Sequence, residues 1–365
     1  MGTSDFAPRH VKSIALYQPG KPISELAREL RLDESSIVKL ASNENPLGVS
    51  PLAQRAILKV LEDLSRYPDG NGFELKRALE RRYCVPADRI VLGNGSNDVL
   101  DLAARAFLSS GDEAIYSQHA FAVYPIAVQA IGARGVEVPA RDYGHDIDAM
   151  ARAVNERTRL VFIANPNNPT GTMIAAKPLE AFIAGLPHHV LVVLDEAYNE
   201  YLPHESRFNT VEWLEHYPNL VITRTFSKIY GLAGLRVGYA FAAADVADLM
   251  NRVREPFNVN SVALAAAAAA LDDVDFMRRS YELNLAGMKQ LTEGLALLEL
   301  EFIPSYGNFV TFKVRNAGDV FRRLLEAGVI VRPLGNYGMP DHLRVSVGLE
   351  SENARFLESL ARAAR

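Results

Sequence analysis

A chain of 365 residues, 48% of them hydrophobic, is long enough to bury a large core and to form two lobes. Its charged residues, 23% of the total, mix both signs to a formal net charge of -5, which builds no basic field for nucleic acid. A single cysteine, Cys84, leaves no internal disulfide, and no stretch approaches the roughly 18–20 apolar residues that span a bilayer.

The first residues, MGTSDFAPRHVKS, lack the apolar core of a secretory signal. With the lone cysteine they suggest a reducing, cytoplasmic setting. Residues 1–50 carry YQPGKP and NENPLG, rich in Pro and Gly, and read as an arm and connection to a small lobe. From residue 51 to 258 short apolar runs alternate with helical patterns. RIVLG (89–93), EAIYS (113–117), TRLVFIANP (158–166), HVLVVLDEAY (189–198), NLVITRTFS (219–227) and LRVGYAFA (235–242) read as strands. NDVLDLAARAFL (97–108) and YPIAVQAIGA (124–133) read as helices. Apolar runs without alternation suit strands covered on both faces, so the expectation is an α/β fold around a mostly parallel sheet. Residues 259–365 differ. Long helical patterns over 261–298, with an alanine run at Ala265–Ala270, precede FVTFKV (309–314), a helix and HLRVSVGL (342–349). That is a second, α+β domain.

Ligands of open α/β sheets bind beyond the carboxyl ends of the strands. Four polar clusters fall at such ends: GNGSND, NPNNPTG, DEAY and TFSK. Asp195 closes the apolar run VLVVLD, and a carboxylate buried there needs a cationic partner. Lys228 sits in TFSKIYGLAGLRVG, among hydroxyls and glycines, where a confined amine can lose its proton and act as a nucleophile. Taken singly, each has a plain alternative, a structural ion pair or a surface lysine. Pyridoxal phosphate would use both: its aldehyde forms a Schiff base with a lysine and its pyridine nitrogen pairs with an acid. GNGSND offers free N–H groups at a helix start for its phosphate, Thr225, Ser227 and Arg236 add hydroxyls and a cation, and Asn168 and Tyr198 can donate to its ring oxygen. No metal-ligand pattern is present.

NPNNPTG, DEAY and SKIYGLAGLRVG, in this order and spacing, resemble the fold-type I pyridoxal-phosphate aminotransferases over nearly the whole chain. YQPGKP, LASNENPLG, RYPDG, LGNGSND and LRVSVGLESEN are similar, more narrowly, to the histidinol-phosphate aminotransferase family. The resemblance implies a large domain with a seven-stranded sheet, a smaller domain and pyridoxal 5'-phosphate as cofactor. It makes Lys228 the Schiff-base lysine, Asp195 the partner of the pyridine nitrogen, and Tyr198 a catalytic neighbour holding the ring hydroxyl with Asn168. Ser96, Asn97, Thr225, Ser227 and Arg236 would hold the phosphate, and Phe121 would stack on the ring. Tyr67 would reach the phosphate across a homodimer interface, so that two subunits share each site. Arg332 and Arg344 would bind the phosphate of the amino donor and the carboxylate of the acceptor, 2-oxoglutarate, with Tyr17, Asn45 and Asn308 as further substrate contacts. Aromatic amino-acid aminotransferases and threonine-phosphate decarboxylases share much of this pattern. A non-catalytic regulator of the same fold would need an added DNA-binding module, and the arm before residue 50 is too short for one.

Overall fold

In the computed structural model, residues 2–365 are described. In chain order the strands are β1 (Val38–Lys39), β2 (Ile90–Gly93), β3 (Glu113–Ser117), β4 (Arg134–Val138), β5 (Thr158–Ala164), β6 (Leu191–Asp195), β7 (Leu220–Thr225), β8 (Gly238–Phe241), β9 (Phe302–Ile303), β10 (Phe309–Lys313), β11 (Val329–Ile330), β12 (Arg332–Pro333) and β13 (His342–Ser346). Seven of them form one sheet in the order β2-β8-β7-β6-β5-β3-β4. Only β8 runs against its neighbours; the pairs from β7 to β4 are parallel. The expected mostly parallel sheet is therefore present. Every residue of β6 and β7 is buried, which is why these runs show no alternation.

Helices cover both faces. Ser96–Phe107 and Val123–Ile131 pack on one side with a core that includes Leu100, Phe162 and Val193. The other side is closed by Ala176–Gly185 and by Ser261–Leu271, the helix of the alanine run. That helix buries Ala263, Ala266, Ala267 and Ala270, and its small side chains let Pro51–Val60 and Phe73–Tyr83 lie close against it. A separate four-stranded antiparallel sheet, β12-β13-β10-β9, packs with Val274–Leu297 and Glu350–Ala363 around Phe312, Leu343 and Phe356. The N-terminal segment joins this second core through β1, which pairs in parallel with β11.

The stretch after β1 runs from the small sheet to the edge of the large one. Gly231 marks how closely it passes the lysine loop. Its φ is +70°, and a Cβ there would lie 1.9 Å from the Gly48 carbonyl oxygen. We expect Gly231→Ala to cost about 2–4 kcal/mol through left-handed strain and backbone collision. Thermal unfolding, followed by circular dichroism, should show a midpoint lowered by several degrees; an unchanged midpoint would mean the two segments separate freely.

Candidate active site

β2, β5, β6 and β7 deliver their carboxyl ends to one cavity of about 260 Å³. Its lining includes Ser96 and Asn97 after β2, Asn168 after β5, Asp195 and Tyr198 at the end of β6, and Thr225, Ser227 and Lys228 after β7. The small domain closes it with Arg332 and Arg344, and the N-terminal segment with Tyr17 and residues 41–44.

One end is built for an anion. Helix Ser96–Phe107 begins behind Gly95, whose φ is +84° and whose absent Cβ would sit 2.3 Å from an Arg236 guanidinium nitrogen. Removing that atom lets the arginine lie directly against the helix start, so a cation and unpaired N–H groups point to one spot. The Arg236 guanidinium donates to Ser227 Oγ at 3.3 Å and to the Ala233 carbonyl at 3.1 Å.

Asp195 forms the floor and is buried. Tyr124 Oη donates to one carboxylate oxygen at 2.9 Å, and the Ala197 N–H to the other at 3.2 Å. Among the described residues no cation pairs with it, and burial pushes its pKa up. Its neighbour in sequence, Glu196, shows the contrast: Arg224 donates to it at 2.9 and 2.7 Å through two nitrogens. An unpaired buried carboxylate at a cavity floor fits a cationic N–H supplied by a ligand.

Lys228 Nζ donates to the Ser42 carbonyl at 3.2 Å and lies 5.6 Å from the centre of the Tyr198 ring. Among the described residues it has no carboxylate partner. Burial, and secondly the Arg344 charge, lower its pKa to about 7. A neutral amine is thus accessible near neutral pH. Burial likewise raises the Tyr198 hydroxyl to about 12, and that oxygen accepts from Asn43 Nδ2 at 2.9 Å.

On the small-domain side, Arg332 and Arg344 stand directly opposite each other across β12 and β13, and both are buried. Like charges paired across strands repel. Arg344 donates to Asn168 Oδ1 and, at 2.8 Å, to the Ala41 carbonyl; its Nε has no partner. Arg332 donates to the Gln18 carbonyl and lies 5.7 Å from the Tyr17 ring centre. Neither makes an ion pair among the described residues. Two buried guanidiniums with spare donors fit an anionic substrate.

Thirteen of the residues singled out from sequence therefore line the cavity: Tyr17, Ser96, Asn97, Phe121, Asn168, Asp195, Tyr198, Thr225, Ser227, Lys228, Arg236, Arg332 and Arg344. Three do not. Asn45 points away, donating to the Ile229 carbonyl and Ser280 Oγ, both at 2.8 Å, so within this chain it ties segments together. Asn308 donates to the carbonyls of Asn43 and Glu44 and so acts behind the lining. Tyr67 is 83% exposed and stacks on Phe257 at 4.8 Å. Sequence reasoning passed over Asn43, Glu44, Tyr124 and Tyr337, which also line the cavity. Tyr124 lies three residues after Phe121, in the first turn of the helix Val123–Ile131, the only local hint of its position.

The profile of the family "Aminotransferase class I and II" matches residues 35–360. Histidinol-phosphate aminotransferase of Methylobacillus flagellatus is 62% identical over 356 residues, which cover 98% of this chain and 96% of that protein. Histidinol-phosphate aminotransferase 2 of Nitrosospira multiformis is 60% identical, over 99% and 92% of the two chains. Among solved structures, histidinol-phosphate aminotransferase from Sinorhizobium meliloti in complex with pyridoxal-5'-phosphate superposes with a TM-score of 0.90 at 28% identity, over 99% and 98% of the chains. A double mutant of aspartate aminotransferase from Thermus thermophilus gives 0.84 at 25% identity, over 98% and 99%.

The lowered pKa of Lys228 makes a prediction about the cofactor-free protein. Its unfolded value is near the ordinary 10.5, so between about 7 and 10.5 the unfolded chain binds more protons, and stability rises with pH. Below about 7 the folded chain must carry a buried ammonium. Lys228→Met should therefore raise the thermal midpoint of the cofactor-free protein most at pH 6, and the advantage should shrink steadily toward pH 10. A pH-independent difference would show that Lys228 is not desolvated.

Proposed function

The chain belongs to the class I and II aminotransferases, and from that premise we propose that it moves the amino group of histidinol phosphate to 2-oxoglutarate, in the synthesis of histidine, with pyridoxal 5'-phosphate held at Lys228. The observation that carries the reading is the cavity's pairing of an uncompensated buried carboxylate, Asp195, with a buried amine of lowered basicity, Lys228, beside two unpaired arginines.

The residues present fit the cofactor. Arg236, Ser227, Thr225, Ser96 and Asn97 would hold its phosphate, Asn168 and Tyr198 its ring hydroxyl, and Phe121 supplies an aromatic face. When bound, the cofactor supplies an aldehyde that takes the amino group and a ring that withdraws electrons from the donor's α C–H bond. Asp195 would accept the pyridine N–H and keep that nitrogen protonated, as its own desolvation favours a cationic partner. Lys228 Nζ would take the proton from the donor's α-carbon and return it to the cofactor carbon that carried the aldehyde. Tyr198, directed by Asn43, orients the ring and closes the floor to water. Arg332 and Arg344 bind the donor's phosphate in one half-reaction and carboxylate in the other.

We read residues 51–258 as the large cofactor-binding domain, 259–365 as the small domain, and 1–50 as an arm that joins the small one. A homodimer in the cytoplasm is part of the same reading. Leu58, Leu61, Leu64 and Tyr67 leave apolar side chains in solvent along one stretch, a pattern that marks an interface. Tyr67 would then serve the partner's phosphate site.

The test is kcat/KM for histidinol phosphate, histidine, phenylalanine and tyrosine, each with 2-oxoglutarate. We expect histidinol phosphate to lead by at least about a hundredfold, since a buried polar site rejects ligands that leave it unpaired; a preference for phenylalanine or tyrosine would reassign the chain to aromatic aminotransferases. We also expect Asp195→Asn to lower the single-turnover rate by about a thousandfold or more, while changing cofactor affinity, measured by fluorescence titration, far less. Loss confined to affinity would remove the role given to Asp195.

A further inference from the structure

Among the described residues the carboxylates lining the cavity are two, Asp195 and Glu44. Asp195 is buried in the floor, where the proposed reading commits it to the pyridine nitrogen. Glu44 is different: its side chain is 46% exposed, and one oxygen accepts from Lys39 Nζ at 2.9 Å. That pairing leaves its remaining acceptor capacity free. The backbone around it is held firmly. Asn308 donates to the Asn43 and Glu44 carbonyls, and the Asn43 N–H donates to Ser346 Oγ at 2.8 Å. The backbone thus keeps this carboxylate at the edge of a cavity whose lining charges, apart from the buried Asp195, are the basic groups Lys228, Arg236, Arg332 and Arg344.

Accepting the reading that histidinol phosphate is the donor, its three polar groups must be distributed over this lining. The amine must reach Lys228, and the phosphate has the arginine pair. The imidazole remains. In either protonation state it carries at least one N–H, and near neutral pH a fraction of it is cationic. A carboxylate is the strongest acceptor for such a group. We propose that Glu44 recognises the imidazole N–H of the amino donor and that the Lys39–Glu44 pair sets the balance between the two substrates. Glu44 favours the imidazole. Lys39 offsets its charge when 2-oxoglutarate, with two carboxylates and no cationic group, occupies the same cavity. The pair thereby lets one site accept partners of opposite polarity at the same position.

The experiment compares wild type, Glu44→Gln and Lys39→Met. Three quantities are read: kcat/KM for histidinol phosphate against phenylalaninol phosphate, whose ring has no N–H; KM for 2-oxoglutarate; and the dissociation constant of histidinol phosphate for the cofactor-free protein by calorimetry. In Glu44→Gln the preference for histidinol phosphate over phenylalaninol phosphate should fall about ten- to hundredfold, as for loss of a charge-assisted hydrogen bond. Calorimetry should show weakened binding in parallel, and KM for 2-oxoglutarate should fall. In Lys39→Met that KM should rise. General damage to the pocket would move KM the same way in both variants. A preference within twofold of wild type in Glu44→Gln, or KM for 2-oxoglutarate shifting in the same direction in both variants, overturns the assignment. A wild type that itself shows no preference for histidinol phosphate over phenylalanine and tyrosine would instead remove the functional reading, and this assignment with it.

Discussion

The desolvated carboxylate of Asp195 is the constraint to which the rest of the site answers. The end of β6 places two acids in succession inside a sheet covered on both faces. Burying a charge costs several kcal/mol unless it is paired. Glu196 is paired by Arg224 from the neighbouring strand and further held by Thr210 Oγ1 at 2.6 Å. Asp195 has only neutral donors. Two carboxylates one residue apart are thus given opposite treatment. The compensated one ties β6 to β7 just behind Thr225 and Lys228. The uncompensated one is left in deficit, which on the proposed reading a cationic ring nitrogen would make up.

The same low-polarity setting links the lysine to the arginines. Burial comes first among the causes that lower the Lys228 pKa and Arg344 second. Arg344 is itself pushed down by burial and faces Arg332 across the strand pair. An anion resting on these guanidiniums offsets part of the field felt at Lys228 Nζ. On the proposed reading the amine would become a stronger base as the anionic substrate arrives, so that binding and proton acceptance would be linked through Arg344.

Most of this architecture was legible in the amino-acid sequence, because it depends on local runs. The strands around Asp195 and Lys228 are buried on both faces and read as unbroken apolar segments. The edge strand Arg134–Val138 was missed for the opposite reason: RGVEV is mostly exposed or half-buried and has no such run. The site was legible where a polar residue ends an apolar strand, and not where the tertiary fold alone brings a side chain in. NEN shows the difference within three residues. Asn43 has a φ of +55°, which directs its amide to Tyr198, whereas Asn45 faces Ile229 and Ser280. No pattern in the sequence distinguishes the two. Asn308, one residue ahead of β10, is close to the cavity and holds its wall in place without lining it.

The pairing of β1 with β11 bears on how the molecule is made. Asn43 and Ser346, which lock the cavity wall, are 303 residues apart. A growing chain emerges from its N-terminus and can complete the sheet carrying Asp195 and Lys228 well before β11 and β13 exist. Until then the segment from β1 to Glu44 has no strand to join, and the carbonyl that receives Lys228 has no fixed position. The cofactor cradle is therefore half-formed for most of synthesis. Contacts this distant close slowly, since loop entropy is spent before they form. The wall that Asn43 and Ser346 lock can therefore close only after β11 and β13 have been made.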